Sequence, residues 1–197
     1  MASSTAPAPT RPAAPTTRSG ATATADATAA RPAVPSHRAV RISLAALRAL
    51  LAWTFLWPFL DKLFGLGFAT PSEKSVLNGG SPTEGFLFHG TKGPFAHAFD
   101  SVAGAWWLDL LFMLGLLGVG LAFALGIGMR AATAACALMM ASMWLVTLQP
   151  ATNPITDDHW MIALAAVVLT VCRAGDHFGL GAAWRRTPLV RRFGLLA

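Results

Sequence analysis

Four long apolar runs, separated by shorter polar segments, dominate the chain after residue 38. They cover about residues 39–60, 106–127, 131–148 and 158–173. A helix needs roughly 20 apolar residues to cross the hydrocarbon core of a bilayer. The pattern therefore predicts an all-α membrane protein, an up-down bundle of four transmembrane helices within a domain of residues 38–175. The fourth run is short, and the tight turn Gly128-Met129-Arg130 joins the second run to the third.

The first two runs also contain residues that affect helix geometry. Pro58 cannot donate a hydrogen bond to the carbonyl of Thr54, so the first helix should loosen or end there. The second run carries small residues at four-residue spacing, in the ladders Gly118, Ala122, Gly126 and Gly120, Ala124, Gly128. Small residues let membrane helices approach one another closely. We therefore expect the second helix to have a close helical neighbour.

The connection of residues 61–104 is polar, rich in glycine and too long for a featureless loop in a compact domain. Helix start and stop signals divide it into three short helices. The first follows Ser72 and stops at Gly79, the second begins at the capping box Ser81-Pro82-Thr83-Glu84 and stops near Gly90, and the third covers residues 95–102. Phenylalanines give these pieces an apolar side, so we expect a cap on the outer membrane surface.

Both ends of the chain differ from the apolar domain. Residues 1–37 are mainly Ala, Pro and Thr without helical or strand periodicity, which predicts a disordered cytoplasmic tail. An overlong assignment of the start site would produce the same composition. Residues 176–197 form a basic cytoplasmic tail that, with Trp184 and Phe193, could lie on an anionic inner leaflet.

Composition and charge distribution support a membrane protein and predict its orientation. Hydrophobic residues make up 54% of the 197 residues and charged residues 12%, about half the share usual in a soluble domain. The net charge of +6 is not a nucleic-acid patch, because all twelve Arg fall in residues 11–48, at 130 and in 173–192. By the positive-inside rule these segments are cytoplasmic. We expect a multi-pass protein of the plasma (inner) membrane with both termini in the cytoplasm.

The two cysteines, Cys136 and Cys172, are predicted to be reduced, buried thiols near the inner ends of their helices. The chain has no CxxC, no pair of histidines typical of haem ligation and no nucleotide-binding loop. We therefore predict no metal site and no cofactor held by a recognisable motif.

The polar segment Asn153–Trp160 lies between two apolar runs and contains the most reactive residues. Asp157 is most simply a cap that accepts hydrogen bonds from the first turn of the fourth helix. Asp158 and His159 are the candidate catalytic pair, since an imidazole beside a carboxylate can relay protons or hydrogen-bond a quinone oxygen. The alternative is a structural hydrogen bond within the bundle. Asn153 is either the exit turn of the third span or a donor to a buried partner.

Further polar residues lie at the same predicted depth, near the outer ends of their helices. Asp61 and Lys62 end the first span. The alternative to a role in ligand binding is a surface carboxylate beside a snorkelling lysine. Asp109 lies three residues inside the second span and should face protein or water. With Trp106 and Trp160, these residues are candidate ligand-binding groups that converge with Asp158 and His159 on one outer-leaflet pocket.

Arg48 lies at the opposite depth, about 10 Å into the first span. Its guanidinium either snorkels to the inner surface or faces the bundle interior. In the second case it needs an acceptor, and backbone carbonyls, Thr133 or a bound ligand must serve. We include Arg48 among the candidate ligand-binding residues.

The order of these motifs resembles the DoxX/DoxD family of small four-helix membrane proteins. The resemblance covers about residues 39–175. It rests on Arg48, the segment Phe59-Leu60-Asp61-Lys62-Leu63-Phe64-Gly65, the second span with the turn to Arg130, and Asn153-Pro154 followed by Asp157-Asp158-His159. The long glycine-rich loop is similar to the DoxD-like branch, associated with the small subunit of a thiosulfate:quinone oxidoreductase.

This resemblance suggests a link to quinone or thiol redox chemistry. The first hypothesis is a subunit of a membrane oxidoreductase that binds a quinone near the outer leaflet and works with a second redox subunit. The alternative is a non-enzymatic assembly or scaffold subunit, which uses the outer cap and the small-residue ladders to hold a redox partner. A small-solute transporter is the third class, and the sequence lacks the broken spans and internal repeat that would favour it.

Overall fold

The computed structural model describes residues 37–148, 153 and 156–196. The predicted N-terminal tail lies outside the described residues except for His37, as do Pro154 and Ile155. All regular elements of the described residues are helices. They are α1 (His37–Phe64), α2 (Glu84–Gly90), α3 (Ala96–Asp100), α4 (Trp106–Leu125), α5 (Met129–Val146), α6 (Asp158–Val171), α7 (Gly181–Trp184) and α8 (Pro188–Arg192), with 3-10 turns at Ser72–Lys74, Val76–Asn78, Ala174–Asp176 and Gly194–Leu196.

Three of these helices, α1, α4 and α5, are long and apolar enough to cross a membrane. They correspond to the first three predicted spans, and they suggest a membrane protein. The fourth, α6, is apolar but has only 14 residues. At 1.5 Å per residue it is about 21 Å long, shorter than the ~30 Å hydrocarbon core.

Four helices pack in a ring, each antiparallel to its neighbours. Helix α1 contacts α4, α4 contacts α5, α5 contacts α6, and α6 returns to α1. The most buried large side chains of the ring are Phe55, Phe123, Leu169 and Cys136. We call the end where α1 stops and α4 and α6 begin the cap end, and the end where α4 stops and α5 begins the arginine end.

The two small-residue ladders of α4 have different surroundings. A Cβ atom at Gly120 would lie 2.7 Å from the side chain of Leu56, so this glycine lets α1 and α4 approach closely. At Gly118 an added Cβ would meet no heavy atom within 4 Å. The predicted close neighbour of the second helix is therefore α1, and the Gly118 face is open.

Of the two outcomes expected at Pro58, a loosening or an end of the first helix, the end is excluded. The helix continues to Phe64, where Gly65 adopts a left-handed φ of +67° and donates to the Asp61 carbonyl. Proline removes one hydrogen bond, which costs about 3 kcal/mol in a helix interior. Burial of Phe55 and partial burial of Phe59 and Leu63 in the core offset this loss on both sides of Pro58.

The cap between α1 and α4 has shorter helices than the sequence predicts. Its first piece forms two 3-10 turns that stop, as predicted, at Gly79 with φ +84°. Its second begins at Glu84, and Ser81 Oγ accepts a hydrogen bond from the Glu84 N–H at 3.1 Å. Its third, α3, covers only residues 96–100. The cap reaches α5, since the Lys92 N–H donates to the Val146 carbonyl at 2.9 Å.

The segment after α6, predicted as a basic tail, folds against the arginine end of the ring. The Leu180 N–H donates to the Leu125 carbonyl at 2.8 Å. Arg130 Nη1 donates to the Gly194 carbonyl at 3.1 Å. These contacts make the segment part of the folded domain.

Candidate functional site

Asp157 and His159 form a closely coupled pair at the start of α6. Asp157 Oδ1 accepts from the backbone N–H of His159 at 3.1 Å, which confirms the predicted helix cap. Its second oxygen, Oδ2, lies 2.7 Å from His159 Nδ1. One carboxylate therefore caps the helix and orients the imidazole.

The carboxylate nearest the imidazole is not the one that the sequence analysis paired with it. Asp158 Oδ1 lies 3.5 Å from His159 Nδ1, and the Asp158 side chain is 82% exposed. Asp157 precedes the helix with extended backbone, at φ −140°, and this turns its side chain toward the first turn. The cap geometry thus gives the closer contact to Asp157.

The Asp157–His159 pair can handle protons. When Nδ1 donates to the carboxylate, Nε2 of the neutral ring is an acceptor, and Nε2 of the protonated ring is a donor. The His159 side chain is 18% exposed, so the ring is largely enclosed but reachable.

Aromatic side chains lie next to this pair. Trp160 contacts Trp144 edge to face, with ring centroids 5.5 Å apart. Trp144 Nε1 is buried and has no hydrogen-bond partner among the described residues. Buried indole N–H groups usually have an acceptor. Trp106, the first residue of α4, is largely exposed.

Asp61 is buried at the end of α1, with only 2% of its surface exposed. Its Oδ1 accepts from the Phe68 N–H at 3.3 Å, and its Oδ2 accepts from the Ala69 N–H at 3.0 Å. The carboxylate thus holds the loop that leaves α1. Lys62, the next residue, is half-buried and lines a cavity of about 660 Å³ between α1 and the cap.

Asp109, in the first turn of α4, holds the start of α2. Its Oδ1 accepts from Ser81 Oγ at 2.9 Å, from the Thr83 N–H at 3.1 Å and from Thr83 Oγ1 at 2.6 Å. Three hydrogen bonds to one carboxylate oxygen tie the start of α2 to α4. Asp109 therefore faces protein, as predicted.

Asn153 forms a local turn with Thr156. Its side-chain amide donates to Thr156 Oγ1 at 3.0 Å, and its Oδ1 accepts from the Thr156 N–H at 3.2 Å. This geometry fits the exit-turn interpretation and orders the backbone just before Asp157.

The structure brings some of the predicted pocket residues together and gives the others separate partners. Asp157, Asp158 and His159 form one cluster, and Trp160 follows it directly. Asp61, Asp109 and Asn153 each hydrogen-bond a different segment of the cap end. The lining of the cap cavity includes Lys62 but neither His159 nor the tryptophans at 106 and 160.

Donor atoms of Asp157, Asp158 and His159 lie within 4.8 Å of one another, close enough to contact one cation. The Asp157–His159 hydrogen bond already accounts for two of these three donors. A cation here would have to replace that bond.

Arg48 faces the interior at the arginine end and is only 4% exposed. Its Nη2 donates to the Phe178 carbonyl at 3.1 Å, one of the acceptor types anticipated from the sequence. Thr133, the other anticipated protein acceptor, instead contacts Thr170 Oγ1 at 2.6 Å. Arg48 Nε and Nη1 have no hydrogen-bond partner among the described residues.

A glycine cluster, Gly126, Gly175, Gly179 and Gly181, surrounds this guanidinium. A Cβ at Gly126 or Gly179 would overlap Arg48 Nη1. A Cβ at Gly181 would lie 2.7 Å from the Gly126 carbonyl oxygen. Side chains at these positions would fill the space that the guanidinium and the crossing backbones occupy.

Neither the glycine cluster nor the arginine-lined pocket beside it was predicted from the sequence. Of the four glycines, only Gly126 was assigned a role from the sequence, as part of a small-residue ladder of the second helix. The available signal was the spacing Gly175, Gly179, Gly181 between Arg173 and Arg185. Glycines recurring in a basic segment directly after a membrane helix indicate close backbone approach.

Comparison of the chain with protein-family models, curated proteins and solved structures finds no match. The functional interpretation therefore depends on the contacts described above, together with the sequence resemblance.

Proposed function

We propose that this chain is an integral membrane subunit of a quinone-linked oxidoreductase of DoxX/DoxD type, with the quinone site beside His159. The observation that carries the proposal is the 2.7 Å contact between Asp157 Oδ2 and His159 Nδ1 in a largely enclosed position. Such a pair presents a fixed Nε2 that can give or take a proton. Electrons would come from a second redox subunit.

The surrounding residues fit a quinone headgroup. Trp144 offers a buried N–H without an acceptor among the described residues, and a quinone carbonyl oxygen is a suitable one. Trp160 adds an aromatic surface at the edge of Trp144. A bound quinone would supply two-electron, two-proton chemistry; this chain would supply orientation and a proton path through His159. Asp157 would orient the imidazole, and Asp61 and Asp109 would shape the site by holding the cap.

The same proposal includes the membrane arrangement. Helix α6 would be the fourth span of the bundle, its short length matched by local thinning of the bilayer or by the 3-10 turn that follows it. Both termini would be cytoplasmic, since the arginine end holds Arg48, Arg130 and the arginines after α6. The cap and His159 would then face the outer side of the plasma (inner) membrane.

Replacing His159 by Ala should raise the Kd for a short-chain quinone at least tenfold, because one hydrogen bond worth about 1.4 kcal/mol corresponds to that factor. Quinone-dependent turnover in membranes should fall by about 10²–10⁴, the usual contribution of a general acid–base group. Quenching of tryptophan fluorescence measures the binding.

The matched control for that experiment is Asp158→Asn, since this carboxylate is exposed and more distant from the ring. Its Kd and turnover should stay within twofold of the unmodified protein. Unchanged quinone binding in a folded His159→Ala variant would remove the proposed site.

A second candidate, a non-enzymatic scaffold subunit, is supported by the surface of the cap. Phe86, Phe88 and Phe95 are exposed there, although Asp109 anchors the start of α2 by three hydrogen bonds. A held cap with exposed aromatic side chains suits partner binding. Purification in mild detergent separates the two: a stoichiometric partner lost on Phe88→Ser, with no quinone bound, favours the scaffold.

The proposed orientation predicts which native thiol is accessible from each side. Cys136 is buried, as predicted, whereas Cys172 at the arginine end is exposed, so the prediction of a buried thiol is wrong for Cys172. In sealed cells, a membrane-impermeant maleimide should leave Cys172 unlabelled, and it should label it after the membrane is opened. A Lys92→Cys variant, at an exposed cap position, should be labelled in sealed cells when Cys172 is replaced by Ser. Labelling of Cys172 in sealed cells would reverse the orientation.

A further inference from the structure

A basic pocket of about 470 Å³ lies at the arginine end of the ring. The last turn of α6, the first turn of α5 and the segment after α6 enclose it. Its charged lining residues are Arg130, Arg173 and Arg185, and Met129, Thr170 and Trp184 lie beside them. The volume is in the range of small-molecule sites, roughly 300–1,000 Å³.

The described residues do not balance the charges of this pocket. Asp176 Oδ2 pairs with Arg185 Nη2 and lies 3.4 Å from Arg173 Nε. Arg130 donates to the Gly194 carbonyl and forms no ion pair with a carboxylate of the described residues. Three guanidinium groups against one carboxylate leave two positive charges in excess, so the pocket should attract an anion.

Two further groups add positive character to the same wall. Helix α5 begins at Met129 without a side-chain cap and without an acidic residue in its first turn, so its partial positive charge is uncompensated by side chains. Arg48, 96% buried, lies directly behind Gly126, which lines the pocket, and keeps Nε and Nη1 without a described partner. A buried guanidinium with free donors indicates that an acceptor is missing.

An apolar groove adjoins the pocket. It has a volume of about 440 Å³ and follows α4 and α5 from Leu114 to Leu125, lined by small residues that include Gly118, Ala122 and Ala135. Trp184 borders both the groove and the pocket. The groove covers about 17 Å of helix length, close to half of a ~30 Å hydrocarbon core.

We infer that the pocket and groove together bind one anionic phospholipid of the leaflet at the arginine end. Its phosphate lies among Arg130, Arg173 and Arg185, where guanidinium groups can bind two oxygens each. One acyl chain follows the open Gly118 face of α4, and Trp184 sits between headgroup and chain. Basic pockets between membrane helices suit such headgroups. The groups involved lie at the opposite end of α5 and α6 from His159, so this site is independent of the proposed quinone site.

Native mass spectrometry of the full-length protein, titrated separately with phosphatidylglycerol, phosphatidylcholine and inorganic phosphate, tests this inference. Phosphatidylglycerol should bind at least tenfold more tightly than phosphatidylcholine. The double variant Arg130→Gln/Arg173→Gln should remove that preference, with a loss of at least tenfold. Gly118→Leu places a side chain in the groove from a position where an added Cβ meets no heavy atom within 4 Å, and it should weaken phosphatidylglycerol binding about fivefold. Arg191→Gln, an exposed arginine of the same segment outside the pocket, is the matched control and should change binding less than twofold.

Three results would overturn the assignment. Equal affinity for both lipids would mean that lipids contact this surface without a specific site. Equal losses of phosphatidylglycerol binding in the double variant and in Arg191→Gln would mean the same. Binding of inorganic phosphate that depends on Arg130 and Arg173, with no effect of Gly118→Leu on the lipid, would mean a site for a soluble phosphate. A copurifying protein displaced by Gly118→Leu, with lipid binding unchanged, would place a partner helix in the groove. Because Arg130 and Arg173 are exposed, both variants should fold, and Arg173→Gln alone serves if the double variant does not.

Discussion

Replacing Gly175 by Ala should strongly destabilise the arginine end. The new Cβ would overlap the carbonyl oxygen of Gly126 and would lie 3.2 Å from Met129 Cγ. Overpacking usually costs about 1–3 kcal/mol and more where backbone must move, so we expect a loss of about 3 kcal/mol. The midpoint of thermal unfolding in detergent should fall by on the order of 10 °C.

Gly118→Ala is the matched control for this substitution. It adds the same methyl group at a position where no heavy atom lies within 4 Å. Replacing glycine by alanine inside a helix also stabilises the helix by up to about 1 kcal/mol. Its unfolding midpoint should stay equal or rise. Heating followed by size-exclusion chromatography measures both variants, and equal midpoints would show that the crossing of Gly126 and Gly175 is not close.

The starts of α4 and α6 were predictable from the sequence, whereas the other boundaries of the four long helices differ from the predicted ones by two residues or more. Trp106 and Asp158 begin these helices as predicted, since polar or interfacial residues mark both positions. The end of α4 moves to Leu125 because Gly126 adopts a left-handed φ of +73°. Arg173 ends α6 in the same conformation, at φ +52°. An arginine at positive φ gives no sequence signal.

Pairings between distant residues were the part of the candidate site that the sequence could not predict. Depth along the helices indicated that Asp61, Asp109 and His159 lie at one end of the bundle. It could not show that Asp61 binds the N–H groups of Phe68 and Ala69, or that Asp109 binds Ser81 and Thr83. Those partners belong to the cap, whose path depends on backbone turns rather than on apolar periodicity.

The two ends of the ring are held together by different kinds of interaction. At the cap end, the carboxylates of Asp61 and Asp109 accept hydrogen bonds from loop N–H and hydroxyl groups. At the arginine end, glycines let backbones cross around a buried guanidinium. The Asp157–His159 pair differs from the other cap-end carboxylates, because its imidazole keeps one nitrogen available after the cap is formed. That difference is why the proposed chemistry is assigned to His159 and not to Asp61 or Asp109.

Replacing Asp61 by Ala should show how strongly the cap end depends on its buried carboxylate. The change leaves the N–H groups of Phe68 and Ala69 without their acceptor, at about 1–3 kcal/mol for each N–H that stays buried. We expect a loss of about 3 kcal/mol in unfolding free energy. Hydrogen exchange at the amides of Phe68 and Ala69 should accelerate at least tenfold, while the amides of α5 stay protected.

Two further variants separate the carboxylate from its surroundings. Asp61→Asn keeps one acceptor oxygen but turns an amide N–H₂ toward the other backbone donor, so its loss should be intermediate. Lys62→Met changes the adjacent, half-buried side chain and should leave exchange at both amides unchanged. If Asp61→Ala left the exchange at Phe68 and Ala69 unaltered, water or another group would replace the carboxylate. The loop after α1 would then be held by packing of Phe68 on Trp57, whose rings lie 4.9 Å apart, instead of by Asp61.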